Sequence, residues 1–232
     1  MVLSRDSLAA LGVAFGICFW QNHALLHFVN RPLHGKHPIT LGPAEAFTTT
    51  VTVVAYASIL ITLPVVLYQI YAYILPAFTP RERGLAQPLL LLIPILFLGG
   101  AAFGYYLVLP AALKFLLHFN AGQFNTQIRA RDYYGFVSMT LIACGIVFQV
   151  PVGVLAATRL GIVTPEKLAR NRRYAILACA VVAAALPGVD PVSMLLEMIP
   201  LVVLYELSIL LAKAFGRPSG EVSDRFASAE GS

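Results

Sequence analysis

His23 and His27 stand four residues apart, the spacing that puts two imidazoles on one helix face and can form half of a metal site. No acidic residue stands beside them, and helix ends collect histidines, so no metal is expected. Cys18, Cys144 and Cys179 sit in separate apolar runs, giving neither a CxxC spacing nor an even disulfide set. The chain has no nucleophile elbow, no Gly-rich phosphate loop and no HExxH, so neither enzymatic chemistry nor a cofactor is expected. The remaining candidates are carboxylates and amides in apolar surroundings. Glu197 and Glu206 lie nine positions apart in one long apolar stretch. A carboxyl in lipid costs several kcal/mol, so each must face a partner helix, water or an interface; the plainer reading puts both near opposite headgroup zones. Gln149, beside Pro151, suits a hydrogen bond between helices. Glu82 is the most informative charge, in a short polar stretch between Arg81 and Arg83. The ordinary reading is a solvated loop glutamate. The sharper one is a carboxylate that receives a cationic peptide group at the membrane surface.

These residues belong to a chain that is 59% apolar and only 12% charged over 232 residues, with a mean hydropathy of +0.79. A water-soluble core cannot hide that much apolar surface, and about 20 residues per crossing suggests five to seven membrane helices. The net charge of +5 fits basic cytoplasmic loops in such a chain better than nucleic-acid binding. Apolar runs and Pro/Gly punctuation predict six transmembrane helices, at about 8–29, 47–73, 85–117, 133–157, 174–186 and 192–214. They form one domain over 1–215, with a disordered cytoplasmic tail at 216–232. The first run is too long for a signal-peptide core and is expected to be retained. Thr48, Thr49, Thr50 and Thr52 make the second helix polar enough at its start to face other helices. Pro88, Pro94 and Pro110 require a kink or an overlong third helix. Thr164-Pro165-Glu166 has the form of a capped helix start. The fifth run is short for a hydrocarbon core of about 30 Å. Eleven Lys and Arg residues on one side against five on the other place both termini in the cytoplasm.

The order of these features resembles the TatC family, the multi-spanning receptor subunit of the twin-arginine protein translocase, from about Leu8 to Phe215. The resemblance rests on Leu63-Pro64-Val65-Val66-Leu67-Tyr68-Gln69 leading into Leu75-Pro76-Ala77-Phe78 and Arg81-Glu82-Arg83. It continues through Val108 to Leu116, Phe148-Gln149-Val150-Pro151-Val152, Gly161 to Glu166, and Asp190 through Pro200 to Ser208. It implies six helices in a concave, glove-like arrangement. It also implies that Glu82, with Arg83 and Tyr73, binds twin-arginine signal peptides. Pro32, Glu45 and Asp190 match family positions in external segments with a structural or translocation role. Arginine's planar, always charged fork suits a fixed carboxylate in a partly dry surface.

The implied function is a subunit that binds twin-arginine signal peptides and helps move folded proteins across the inner (plasma) membrane on the protonmotive force. TatA-like and TatB-like single-span partners would dock near Gln149, Glu206, Glu197 and the last two helices, in homo- and hetero-oligomers. Three features depart from the family pattern. Met1 to Ser7 holds no His-Leu-x-Glu-Leu-Arg segment, so either that segment lies upstream or half of the signal-peptide site is missing and weaker signal binding is expected. Gln149 stands where a glutamate is common, and Met194 and Glu197 are unusual. The rivals are an ion-coupled solute transporter using Glu197 and Glu206, and a TatC-like scaffold without full signal recognition. The absence of an inverted repeat argues against the transporter.

Overall fold

The computed structural model describes residues 2–33, 38–74, 80–118, 127–159, 162–185 and 191–215, with side chains for all of these except 2–6, 72–74, 80–90, 159, 193, 214 and 215. The described residues form α-helices and no strands. The helices are α1 (Val2–Trp20), α2 (Asn22–Asn30), α3 (Pro43–Ile74), α4 (Pro80–Phe103), α5 (Leu109–His118), α6 (Ala130–Val147), α7 (Val150–Arg159), α8 (Pro165–Arg170), α9 (Arg172–Ala185) and α10 (Pro191–Phe215). Four stretches are long and apolar enough to cross a membrane: Pro43–Tyr71, Leu91–His118, Ala130–Thr158 and Met194–Lys213. A fifth exists only if α1 and α2 count as one broken span, bent by 78°. The expected tail at 216–232 lies outside the described residues.

Several expected boundaries change, and each change has a local cause. The helix expected over 8–29 breaks at Gln21, whose φ of −99° and ψ of 23° leave the helical basin. There the Asn22 side-chain amide donates to the Phe19 carbonyl at 2.7 Å and competes with the helix ladder. α3 starts at Pro43, four residues before the expected 47, because a proline at the first helical position lacks only a donor that has no intrahelical partner. Pro80 likewise opens α4, so Arg81, Glu82 and Arg83 belong to its first turn and not to the loop preceding the expected 85–117 helix. That helix then runs to His118 through a π-helical turn, Gly104–Val108. The wide turn ends just before Pro110, whose ring would crowd the Tyr106 carbonyl of a regular helix. The helix expected over 133–157 is split at Phe148 and Gln149 into α6 and α7. Pro151 cannot donate to the Val147 carbonyl, and the chain turns there.

α4 and α6 cross closely where both lack side chains. A Cβ on Gly100 would lie 2.6 Å from the Cys144 carbonyl, and one on Gly145 would lie 2.7 Å from the Phe97 ring. Contact this close between backbones is how membrane helices associate when lipid offers no hydrophobic drive. The buried side chains form two clusters on either side of that crossing. One joins Val29, Leu33, Val53, Leu109, Tyr133 and Val137; the other joins Tyr71, Ile93, Val152 and Leu155. Of the four threonines near the start of α3, Thr48, Thr50 and Thr52 donate to carbonyls four residues back at 3.0, 2.9 and 2.8 Å. Only Thr49 is buried, at 6% exposure. A threonine can satisfy its hydroxyl on its own helix, and Thr48, Thr49 and Thr52 line a cavity shared with Arg131 and Tyr134 of α6.

Candidate functional site

At one end of the bundle the start of the chain, the end of α3 and the start of α4 converge. The Ser7 hydroxyl donates to Gln69 Oε1 at 2.5 Å, which ties α1 to the last turns of α3. Tyr71 is buried in the cluster that joins this end of α3 to α4 and α7. Tyr73 follows in the last turn of α3, and Glu82 and Arg83 are the third and fourth residues of α4. A carboxylate in a first helical turn is favoured by the helix dipole in its charged form. The side chains of Tyr73, Glu82 and Arg83 lie outside the described ones.

The same end carries a cationic shelf. Thr164 caps α8 as its sequence predicts, its hydroxyl accepting the Lys167 N–H at 3.4 Å, and Lys167 and Arg170 are exposed. Arg172, opening α9, pairs with Glu206 of α10 at 2.9 Å, and the Tyr205 hydroxyl donates to the Leu168 carbonyl at 2.8 Å. Glu206 is therefore a half-exposed link within the α8–α10 corner. Glu197, nine residues earlier and half a helical turn round, is only 2% exposed. Its neighbours Phe103, Cys144, Val147, Phe148, Pro200 and Leu201 line a cavity of about 10 Å³, room for about one water. Gln149 donates its amide to the Ile93 carbonyl at 3.1 Å, the interhelical bond its position predicts.

At the opposite end, three tyrosines hold the segment that enters the first connection. Tyr105 donates to the Phe28 carbonyl at 2.7 Å and stacks on the Phe28 ring at 4.4 Å. Tyr133 donates to the Val29 carbonyl at 2.6 Å, and Tyr134 to Asn30 Oδ1 at 3.0 Å. Pro32 follows in a 3-10 turn whose Leu33 is 2% exposed. Glu45, in the first turn of α3, accepts from Arg129 at 2.7 Å and from the Leu41 N–H at 2.8 Å. The hydrogen bond and charge of Glu45 raise the Arg129 pKa above its ordinary value. Beside this pair, the Ile39 N–H donates to Ile128 and the Ala130 N–H to Ile39, both at 2.8 Å. The connection before α3 is thus fastened to the start of α6. Glu45 is legible in the sequence, but Arg129, 84 positions away, leaves no local signal. Asp190 lies outside the described residues. The structure thus groups Glu45 with the Pro32 end, and Glu206 with the basic segment, while Gln149 and Glu197 lie in the bundle between. Among the described residues no cluster of three His, Cys, Asp or Glu side chains could hold a metal, and His23 and His27 have no such companion.

A family model described as Sec-independent protein translocase protein (TatC) matches residues 2–200. The chain is 32% identical over 216 residues to the Sec-independent protein translocase protein TatC of Desulforapulum autotrophicum, covering 91% of this chain and 80% of that one. It is 34% identical over 214 residues to the chloroplastic TATC of Arabidopsis thaliana, covering 91% of this chain and 63% of that one. A crystal structure of a twin-arginine translocase receptor, TatC, superposes with a TM-score of 0.75 at 33% identity, covering 93% of this chain and 97% of that one.

Proposed function

Since the chain belongs to the TatC family of Sec-independent protein translocase proteins, we propose that it is the receptor subunit of a twin-arginine translocase. It binds twin-arginine signal peptides and helps carry folded proteins across the membrane on the protonmotive force, with no catalysis of its own. The observation that carries this reading is the agreement of family match and fold along nearly the whole chain. On this reading Glu82 takes a signal-peptide guanidinium, with Arg83 and Tyr73 shaping the same surface. The transporter rival loses support because Glu206 pairs with Arg172 at a half-exposed corner.

The finer arrangement follows from the same reading. The bent α1–α2 pair and the short α9 complete six spans in a concave bundle, with both termini and the basic α8–α9 corner on the cytoplasmic side of the inner membrane. The Glu45–Arg129 fastening and the turn at Pro32 then brace the external side, where Asp190 also belongs. TatA-like and TatB-like single-span subunits dock along α9 and α10 and near Gln149 and Glu197.

The reading is tested by binding a twin-arginine signal peptide and its twin-lysine counterpart to the purified full chain. A carboxylate that grips a planar fork should prefer arginine by about tenfold or more, since lysine offers one point charge and no bidentate geometry. Equal affinity for the two peptides, or none for either, would favour the scaffold reading over the receptor.

A further inference from the structure

α3 and α6 both start at the end pinned by Arg129, and the seam between them holds two cavities. The first, about 400 Å³, is lined by Thr48, Thr49, Thr52 and Tyr56 of α3 and by Arg131 and Tyr134 of α6. The second, about 80 Å³, is lined by Tyr56, Ala57 and Leu60 of α3 and Val137, Ser138 and Leu141 of α6, with Leu25, Phe28 and Val29 of α2 forming its third wall. Positions 49, 52, 56 and 60 make one stripe on α3, and 131, 134, 138 and 141 make one stripe on α6. The cavities are therefore successive levels of one groove, with Tyr56 in the wall of both. From Thr49 to Leu60 the groove runs roughly 16 Å at about 1.5 Å per residue.

The two levels differ in chemistry, in an order that matches depth in a membrane. The polar level sits at the start of the spans Pro43–Tyr71 and Ala130–Thr158, where an interface would lie, and the apolar level sits deeper within them. At the polar level Arg129 is engaged by Glu45, whereas Arg131 is exposed and forms no ion pair among the described residues. A guanidinium without a carboxylate partner at the mouth of such a groove is a setting for a phosphate oxygen. The deeper cavity admits a length of acyl chain but not a helix about 10 Å across.

We propose that the α3–α6 groove is a site for one anionic phospholipid, its phosphate at Arg131 and one acyl chain lying against Tyr56, Leu60 and Leu141. Annular lipid would fill such a groove without regard to headgroup, so headgroup preference is the discriminating property. The full chain, purified in detergent, is titrated with phosphatidylglycerol, phosphatidylcholine and glycerol 3-phosphate, and retained ligand is read by native mass spectrometry. The expected result is that phosphatidylglycerol is held about tenfold more tightly than phosphatidylcholine, and that glycerol 3-phosphate does not compete at equal concentration. Arg131→Gln should remove the preference, Arg131→Lys should keep most of it, and Lys213→Gln, at the far end of the bundle, should leave it unchanged. Ala57→Phe should weaken both lipids together by filling the deeper level. A photoreactive residue in place of Thr52 should yield adducts of phospholipid mass in membranes. Equal retention of both lipids, competition by free glycerol 3-phosphate, an unchanged preference in Arg131→Gln, or adducts of polypeptide mass would each overturn the proposal. Because none of these readouts involves a signal peptide, failure here is distinguishable from failure of the receptor reading.

Discussion

Arg129 shows what a single residue contributes, because it fastens two segments that are distant in sequence. Its partner Glu45 is one-tenth exposed while Arg129 is two-fifths exposed, so the pair is intermediate between a surface and a buried bridge. Such a pair adds little to global stability, and its main effect is to fix the strand-like contact of Ile39 with residues 128–130. Arg129→Gln is therefore expected to raise hydrogen exchange at the Ile39 and Leu41 amides about fivefold, with little change in the rest of the bundle. The exchanged pair Glu45→Arg with Arg129→Glu should recover part of the protection, and unchanged exchange in Arg129→Gln would show that the backbone bonds suffice alone. Residues of this kind mark the limit of reading from sequence. Gln149 was legible because an amide beside a proline in an apolar run has few other uses. The partner of Glu45 was not, because an ion pair across 84 positions depends on how helices pack. Glu206 was legible as a polar residue near a membrane boundary, but its link to Arg172 needed the α9–α10 turn-back to be seen.

At the scale of the helices, composition and prolines carried most of the information. The prolines act unevenly: α3 runs through Pro64 and α4 through Pro88 and Pro94, Pro110 follows a π turn, and Pro151 follows a two-residue interruption that was not expected. The break at Gln21 had no such marker, since a polar Gln-Asn pair inside an apolar run does not by itself end a helix. The α4–α6 crossing was also hidden, because glycine in a membrane helix is common and only geometry says which one is in contact. Gly99 and Gly100 make the test. Replacing a helical glycine by alanine ordinarily stabilises by about 1 kcal/mol. Gly99→Ala, with nothing within 4 Å of the new Cβ, should raise the melting temperature. Gly100→Ala must displace the Cys144 carbonyl and should lower it, by about 1–3 kcal/mol of stability. Shifts of the same sign in both variants would mean the crossing adapts freely. α9 supplies the second helix-scale expectation. Its 14 residues reach roughly 21 Å, short of a hydrocarbon core of about 30 Å. Depth-dependent quenching of probes at Tyr174 and Ala185 should place its ends closer together than an unperturbed bilayer allows, as thinning beside α9 and α10 requires. Normal spacing of both probes would make the short helix only a packing feature.

For the whole molecule, the bundle has two differently equipped ends. One gathers the chain start, the α3–α4 junction and the exposed Lys167 and Arg170. The other is locked by tyrosines and by Glu45–Arg129. The membrane character and the family were legible because both are written along the chain, in hydropathy and in ordered short motifs. Of the six helices expected, four are long and apolar enough to cross a membrane and the first is bent by 78°, which hydropathy does not register, while the shortness of α9 was already legible as a short fifth apolar run. The proposed receptor role places its weight on the Glu82 carboxylate, and the most direct measurement is site-specific crosslinking of a twin-arginine signal peptide to membranes containing the full chain. Glu82→Gln keeps the shape of the side chain and removes its charge, and it should reduce the crosslinked fraction about tenfold or more while the protein remains inserted. Glu82→Asp, with charge kept and reach shortened, should lose less. Crosslinking by Glu82→Gln equal to that of the unmodified chain would contradict the account.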